Sequence, residues 1–123
     1  MRALMIEGDK FLSEICERVF REAGIEFFRA LHGEEGLSSA LKYRPDLIIL
    51  AIILPRKDGF QVLDELKEHP ETKEIPVIIF SDLGTKEDID RCFNSGACEY
   101  LIKAHHTTEE LLARAKAMMK VYT

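Results

Sequence analysis

Short apolar runs alternate with stretches of helical periodicity five times along the chain, and this alternation leaves few possible folds. The predicted strands cover residues 3–6, 25–30, 46–52, 76–81 and 100–103. Three of them are almost wholly apolar, which is typical of strands that are covered on both faces. Five strand–helix units in series predict a parallel sheet with helices on both sides, joined by right-handed crossovers.

Capping and stop residues mark the boundaries of the intervening helices. Asp58 is expected to begin the third helix, Thr85 the fourth and Thr107 the fifth, while Gly24 and Gly96 end the first and the fourth. The second helix is predicted over residues 34–43. Apolar residues at helical spacing are expected to face the core. They are Leu12, Ile15, Cys16, Val19, Phe20 and Ala23, then Phe60, Leu63 and Leu66, then Ile89, Cys92 and Phe93, and finally Leu111, Leu112, Ala115, Met118 and Met119.

Length and composition predict one compact domain over residues 1–123. With 46% hydrophobic and 32% charged residues the chain is expected to be globular rather than disordered. A net charge of −5 without a basic block argues against nucleic-acid binding. The apolar runs are too short to cross a bilayer, and no secretory signal is recognisable, so a cytoplasmic location is expected. The three cysteines form no CxxC pattern and are expected to be free thiols.

In doubly wound folds, ligands bind outside the carboxyl ends of the strands, so the residues at the end of each strand are the candidate site. Glu7, Gly8 and Asp9 follow the first strand, the third strand ends around Ala51, the fourth ends at Ser81 and the fifth at Lys103. Together with the stretches "ALMIEGD", "RPDLIILAIILPRKDGFQVLDELK", "IPVIIFSDLGTKEDIDRCFNSGACEYLIKA" and "TTEELLARAK", they give the whole chain a resemblance to a known family. It resembles the CheY-like receiver domain of bacterial two-component response regulators.

The resemblance implies a flavodoxin-like (βα)5 fold with strand order 2-1-3-4-5. It also implies phosphoryl transfer from a kinase histidine to an aspartate that ends the third strand, with Mg²⁺ held by acidic residues after the first strand. Glu7 matches the first of those acidic residues, Ser81 the hydroxyl that contacts the phosphoryl group, Lys103 the contacting lysine, and Tyr100 the aromatic switch residue.

Three positions depart from the family pattern. Ala51 stands where the phosphoacceptor aspartate belongs, Gly8 where the main metal-binding aspartate belongs, and Ala104 where a proline usually follows the lysine. A methyl group can neither attack a phosphohistidine nor ligate a metal. We therefore expect no phosphorylation at this site, no catalytic residue and no cofactor, with at best weak Mg²⁺ binding through Glu7 and Asp9. Mg²⁺ would be expected only if position 51 carried an aspartate.

The surviving residues also have structural interpretations. Ser81 is expected to bond a loop backbone group, and Asp9 to act at the start of the first helix. Lys103 is expected to pair with Glu7 or Asp9 as an exposed contact worth less than about 1 kcal/mol. Tyr100 is expected to be a partly exposed strand aromatic.

Three functions are compatible with these features. The first is a non-enzymatic, phosphorylation-independent receiver-like module that binds a protein partner or itself through the fourth helix, fifth strand and fifth helix, around residues 86–94, Tyr100 and 109–120. The second is an ordinary phosphorelay receiver, partnered by a histidine kinase, that carries an Asp→Ala change at position 51. The third, a small-molecule sensor or enzyme of flavodoxin-like fold, is disfavoured because the acidic loop with Glu7 and Asp9 would repel a phosphate. The sequence leaves open whether Ala51 is natural and whether the chain is part of a longer protein.

Overall fold

A computed structural model describes residues 1–120, and the last three residues of the predicted domain lie outside this described range. Five strands alternate with five α-helices, and a short 3₁₀ turn, Lys103–His105, precedes the last helix. The strands are β1 (Arg2–Ile6), β2 (Glu26–Ala30), β3 (Leu47–Leu50), β4 (Val77–Ser81) and β5 (Glu99–Ile102). The helices are α1 (Lys10–Glu22), α2 (Gly33–Tyr43), α3 (Gly59–Glu68), α4 (Lys86–Asn94) and α5 (Thr108–Met119). No helix within residues 1–120 is long and apolar enough to cross a bilayer.

The strands form one parallel sheet in the order β2-β1-β3-β4-β5, which confirms the predicted α/β flavodoxin-like topology. Ile6 pairs with Ala30 of β2 and Leu50 of β3, so the carboxyl ends of these strands lie side by side. Buried side chains form two clusters, in which the residues of a strand alternate. Both faces of the sheet are therefore covered by helices, as the apolar strands require.

The predicted helix caps are present. The side chains of Asp58, Thr85 and Thr107 each accept a backbone N–H from the first turn of α3, α4 and α5. At α5 the Glu110 carboxylate also accepts the backbone N–H of Thr107, which completes a capping box. Gly24 and Gly96 follow α1 and α4 with positive φ angles of 81° and 105°, as left-handed helix ends require. Local sequence signals thus determine most of the element boundaries.

Two of the predicted core positions are wrong, and several others are only half-buried. Ile15 and Phe93 are 44% and 45% exposed, because α1 and α4 bury a narrower stripe than their apolar residues suggest. Phe60 is only half-buried, with its ring 4.0 Å from the Arg91 guanidinium, whereas Val62 takes the fully buried place in α3. These additional apolar side chains therefore lie at or near the protein surface and not in the core.

The third predicted strand also ends earlier than expected. β3 stops at Leu50, and although the Ala51 N–H still bonds the neighbouring strand β1, Ile52 turns into the loop before α3. The carbonyl of Ile52 accepts the N–H of Gly59 at 2.7 Å, so the Ile52 carbonyl bonds within the turn and not within the sheet. Similarly, Lys103 begins the 3₁₀ turn instead of ending β5.

Candidate functional site

A cleft of about 420 Å³ opens outside the carboxyl ends of the strands, where the predicted parallel sheet should place a site. The cleft draws its residues from the loops after β1, β3, β4 and β5. They are Glu7, Gly8, Asp9, Ile53, Leu54, Pro55, Asp82 and Lys103. The structure thus brings the predicted acidic residues and the predicted lysine to one place.

Glu7 and Lys103 form the central contact of this cleft. The Lys103 Nζ lies 2.6 Å from Glu7 Oε1, and the two side chains are only 19% and 3% exposed. No donor is aligned for a regular hydrogen bond to Oε1, so the contact is primarily an ion pair. Its burial contradicts the expectation of an exposed contact, because Glu7 is enclosed by the loops that follow β1 and β5. Removing one partner of a buried pair costs about 3–5 kcal/mol, well above the value for a surface pair.

Two further hydrogen bonds of the loop after β1 join residues that are close in sequence. The backbone N–H of Asp9 donates to Glu7 Oε2 at 3.0 Å, so both oxygens of the buried carboxylate have protein partners. The Asp9 carboxylate accepts the N–H of Leu12 at 3.1 Å and caps α1, as predicted. Neither carboxylate is therefore held free for a ligand.

Gly8 lies against the loop after β3. A β-carbon on Gly8 would lie 3.0 Å from Pro55 Cδ and 3.5 Å from the carbonyl oxygen of Leu31. A side chain at this position would therefore require Pro55 to move. The missing carboxylate at Gly8 and the position of Pro55 are geometrically linked.

Ala51 is 3% exposed and follows the last residue of β3. Its N–H donates to the Ile6 carbonyl at 2.9 Å, which continues the sheet pattern by one residue. Gly59 packs directly on its backbone, since a β-carbon there would come within 2.1 Å of the Ala51 carbonyl oxygen. The sequence predicts only that Asp58 begins the third helix, and it does not indicate this close approach of Gly59 to Ala51.

Ser81 and Tyr100 both bond the backbone of Leu83, in the loop after β4. The Ser81 Oγ accepts the Leu83 N–H at 3.2 Å, and the Tyr100 hydroxyl donates to the Leu83 carbonyl at 2.7 Å. Burial raises the pKa of the Tyr100 phenol, so it remains a donor at neutral pH. These contacts agree with the structural interpretations of both residues, and they fix the loop from two strands.

Comparison with known proteins identifies the family. The sequence matches the response regulator receiver domain over residues 3–116. This chain belongs to that family. It is 36% identical over 119 residues to the DNA-binding dual master transcriptional regulator RpaA of Synechocystis sp., covering 97% of this chain and 49% of the relative. It is 37% identical over 120 residues to the transcriptional regulatory protein HprR of Escherichia coli, covering 98% and 52%. The chain thus spans about half the length of these curated relatives.

Solved receiver structures have the same fold. A putative response regulator from Chloroflexus aurantiacus is 33% identical with a TM-score of 0.87, and the alignment covers 97% of each chain. A two-component response regulator from Clostridium difficile is 29% identical with a TM-score of 0.90, covering 98% of this chain and 97% of the other. The resemblance to receiver domains that the strand-end residues indicate is therefore confirmed for the family and the fold.

The donor set of this receiver does not match the needs of Mg²⁺. Magnesium takes near-octahedral oxygen ligands and is usually held by one or two carboxylates. Gly8 and Ala51 offer no side-chain oxygen, and the carboxylates of Glu7 and Asp9 already bond Lys103 and backbone N–H groups. Asp82 adds one exposed carboxylate to the cleft. Within residues 1–120, no three His, Cys, Asp or Glu side chains are grouped closely enough to hold a metal ion.

Asp82 is the cleft residue that sequence reasoning missed. It follows Ser81 at the end of β4, and its exposed carboxylate lines the cleft together with Lys103. The strand-end rule that selected its neighbours applied equally to Asp82.

Proposed function

We propose that this chain is a receiver-domain module, over residues 1–123, that signals without phosphorylation at position 51 and acts through protein contacts in the cytoplasm. The observation that carries the proposal is the residue at the end of β3. Ala51 has no nucleophile, and the lysine expected to contact a phosphoryl group is paired with Glu7 at 2.6 Å. Receiver domains are signalling modules, and no catalytic step is assigned to these residues.

The chemistry supports a phosphoryl-free site. Covalent transfer to a receiver needs a carboxylate as the attacking group and a bound cation to neutralise the phosphoryl oxygens. The methyl group of Ala51 supplies no attacking oxygen. The cation would have to displace Lys103 from a buried carboxylate, which costs free energy that a small ligand must offset.

A face made of α4, β5 and α5 is the proposed contact surface, hereafter the α4–β5–α5 face. Its apolar feature is Phe93, which is 45% exposed. Its charges include Lys86 and Asp90, paired at 3.0 Å within α4, and an Arg114–Glu99 ion pair between α5 and β5. Protein interfaces are enriched in aromatic side chains, so exposed Phe93 supports this assignment.

The first test is chemical. The purified chain is incubated with acetyl phosphate and Mg²⁺, and its intact mass is measured. We expect no phosphate adduct on the parent chain. Ala51→Asn is the matched control for an aspartate variant, because its side chain occupies the same space without adding a nucleophile. Ala51→Asp tests the alternative, an ordinary phosphorelay receiver carrying an Asp→Ala change, which is favoured by the retained Ser81, Tyr100 and Lys103. A Mg²⁺-dependent adduct on the Asp variant supports that alternative, and an adduct on the parent chain refutes the proposal.

The second test addresses the α4–β5–α5 face. Phe93→Ser changes an exposed side chain, so the fold should be retained. We expect weaker self-association in sedimentation velocity, or weaker binding to a captured partner. Phe11→Ser is the matched control, since Phe11 is 80% exposed but lies on α1. Equal binding by both variants and the parent would exclude this face.

A further inference from the structure

The cleft contains a buried carboxylate whose compensating charge comes from the chain itself. Glu7 is 3% exposed, and a carboxylate so enclosed needs a cation or a proton. In receivers with a full acidic set, the resemblance implies that a metal ion supplies this charge. We propose that Lys103 is the resident cation of this cleft and takes, against Glu7, the place of the metal ion. This inference rests on the proposed phosphoryl-free function and extends it to how the site is stabilised.

The pair connects strands that are not neighbours. Glu7 follows β1 and Lys103 follows β5, while β3 and β4 lie between them in the sheet. The ion pair therefore connects the loops after β1 and β5 at the carboxyl edge of the sheet, across the ends of β3 and β4. The methyl group of Ala51 at that end offers Lys103 no competing carboxylate. An aspartate there would divide the lysine between two anions, as one cation cannot neutralise both.

The other charged and titratable groups near the pair leave this assignment intact. The Asp9 carboxylate caps α1, and Glu109 lies in the exposed first turn of α5. Cys16 is buried in α1, and burial together with the Glu7 charge raises the pKa of its thiol to about 12, so it stays neutral. Asp82 is exposed to solvent, where its charge is hydrated. Lys103 is thus the partner that compensates the buried Glu7 carboxylate.

The experiment removes the resident cation and offers a replacement. Lys103→Ala leaves a gap shaped like the lysine stem next to Glu7. We expect its melting temperature to fall by roughly 10 °C relative to the parent, because a buried charge loses its partner. Propylammonium chloride, at about tenfold above its dissociation constant, should restore roughly 3–5 °C of that loss. The parent chain should show no such gain, nor should Lys10→Ala, in which an exposed lysine at the start of α1 is removed.

Controls separate specific binding from screening. Sodium chloride at equal ionic strength should not rescue Lys103→Ala, and neither should propylammonium rescue the double variant Glu7→Gln with Lys103→Ala. MgCl₂ is a second probe, and stabilisation of Lys103→Ala but not of the parent also supports the assignment. Equal rescue by sodium chloride, or an undiminished melting temperature in Lys103→Ala, overturns it.

A measurement on the unaltered chain keeps the test decisive if Lys103→Ala does not fold. Lysine-ammonium NMR should show a slowly exchanging Lys103 signal that is unchanged by MgCl₂ and lost in Glu7→Gln. A signal that Mg²⁺ shifts or broadens overturns the inference, because the metal then competes for Glu7. The outcomes separate the two proposals: a failed rescue without an acetyl phosphate adduct refutes only the resident cation, whereas an adduct on the parent refutes the proposed function.

Discussion

An aspartate at position 51 should destabilise this receiver when Mg²⁺ is absent. Ala51 is 3% exposed, and the Lys103–Glu7 pair at 2.6 Å already uses the available cation. A new carboxylate in this place is both desolvated and repelled by Glu7, and both effects raise its pKa. Because each unit of difference between the folded and unfolded pKa is worth about 1.4 kcal/mol, we expect a loss of stability of roughly 2–3 kcal/mol near neutral pH.

The pH dependence identifies the cause. Because the folded-state pKa of the new carboxyl is raised, its destabilisation is fully present at pH values above that pKa. The destabilisation fades as the pH falls toward the unfolded value near 4, where the group is protonated in both states. Urea unfolding followed by circular dichroism in EDTA should show a midpoint for Ala51→Asp that is roughly 1–2 M below the parent near pH 7. The gap should narrow near pH 5.

Ala51→Asn is the matched control, since it has nearly the same volume without the charge. It should lose less stability than Ala51→Asp, and its difference from the parent should not depend on pH. An aspartate variant as stable as the parent near neutral pH would refute the reasoning. Equal losses for the Asn and Asp variants, at every pH, would assign the effect to side-chain size alone.

Three further predictions follow from individual contacts. Tyr100→Phe removes the bond to the Leu83 carbonyl, should cost about 1 kcal/mol, and should speed amide exchange in residues 82–85, measured by mass spectrometry. In native protein only Cys98, which is exposed, should react rapidly with Ellman's reagent near pH 8. The thiols of Cys16 and Cys92 are buried, and burial raises the pKa of Cys16 to about 12, so both should react only after unfolding. Gly59→Ala should lower the free energy of unfolding by at least about 2–3 kcal/mol in urea titration, because a β-carbon would lie 2.1 Å from a backbone oxygen.

The fold was predictable because its signals are local and repeated. Strands covered on both faces produce continuous apolar runs, and caps such as Thr107 with Glu110 bond groups within a few residues. The predicted core was wrong at positions where the packing of neighbouring helices, and not the residue type, determines burial. Ile15 and Phe93 keep helical spacing with core residues, yet the width of the covered stripe depends on how closely α1 and α4 approach their neighbours. That separation is set by the whole packing and not by either helix.

The candidate site was predictable in its members but not in its contacts. The strand-end rule selects Glu7 and Lys103 because parallel strands deliver their carboxyl ends to one edge. It cannot give the 2.6 Å separation or the burial of Glu7, which depend on four loops converging. The contact of Gly8 with Pro55 joins residues that are far apart in sequence, and no local pattern announces it.

These coupled contacts determine what one substitution can restore. An aspartate at position 51 supplies a nucleophile but leaves Gly8 without a carboxylate, and Pro55 stands 3.0 Å from where that side chain would begin. The new aspartate also competes with Glu7 for Lys103. A metal-dependent site in this cleft would therefore need carboxylates in the loops after β1 and β3 together, and Ala51→Asp alone should add charge repulsion beside the Lys103–Glu7 pair. In the sequence Gly8 and Pro55 are far apart, whereas in the folded cleft a side chain at one requires the other to move.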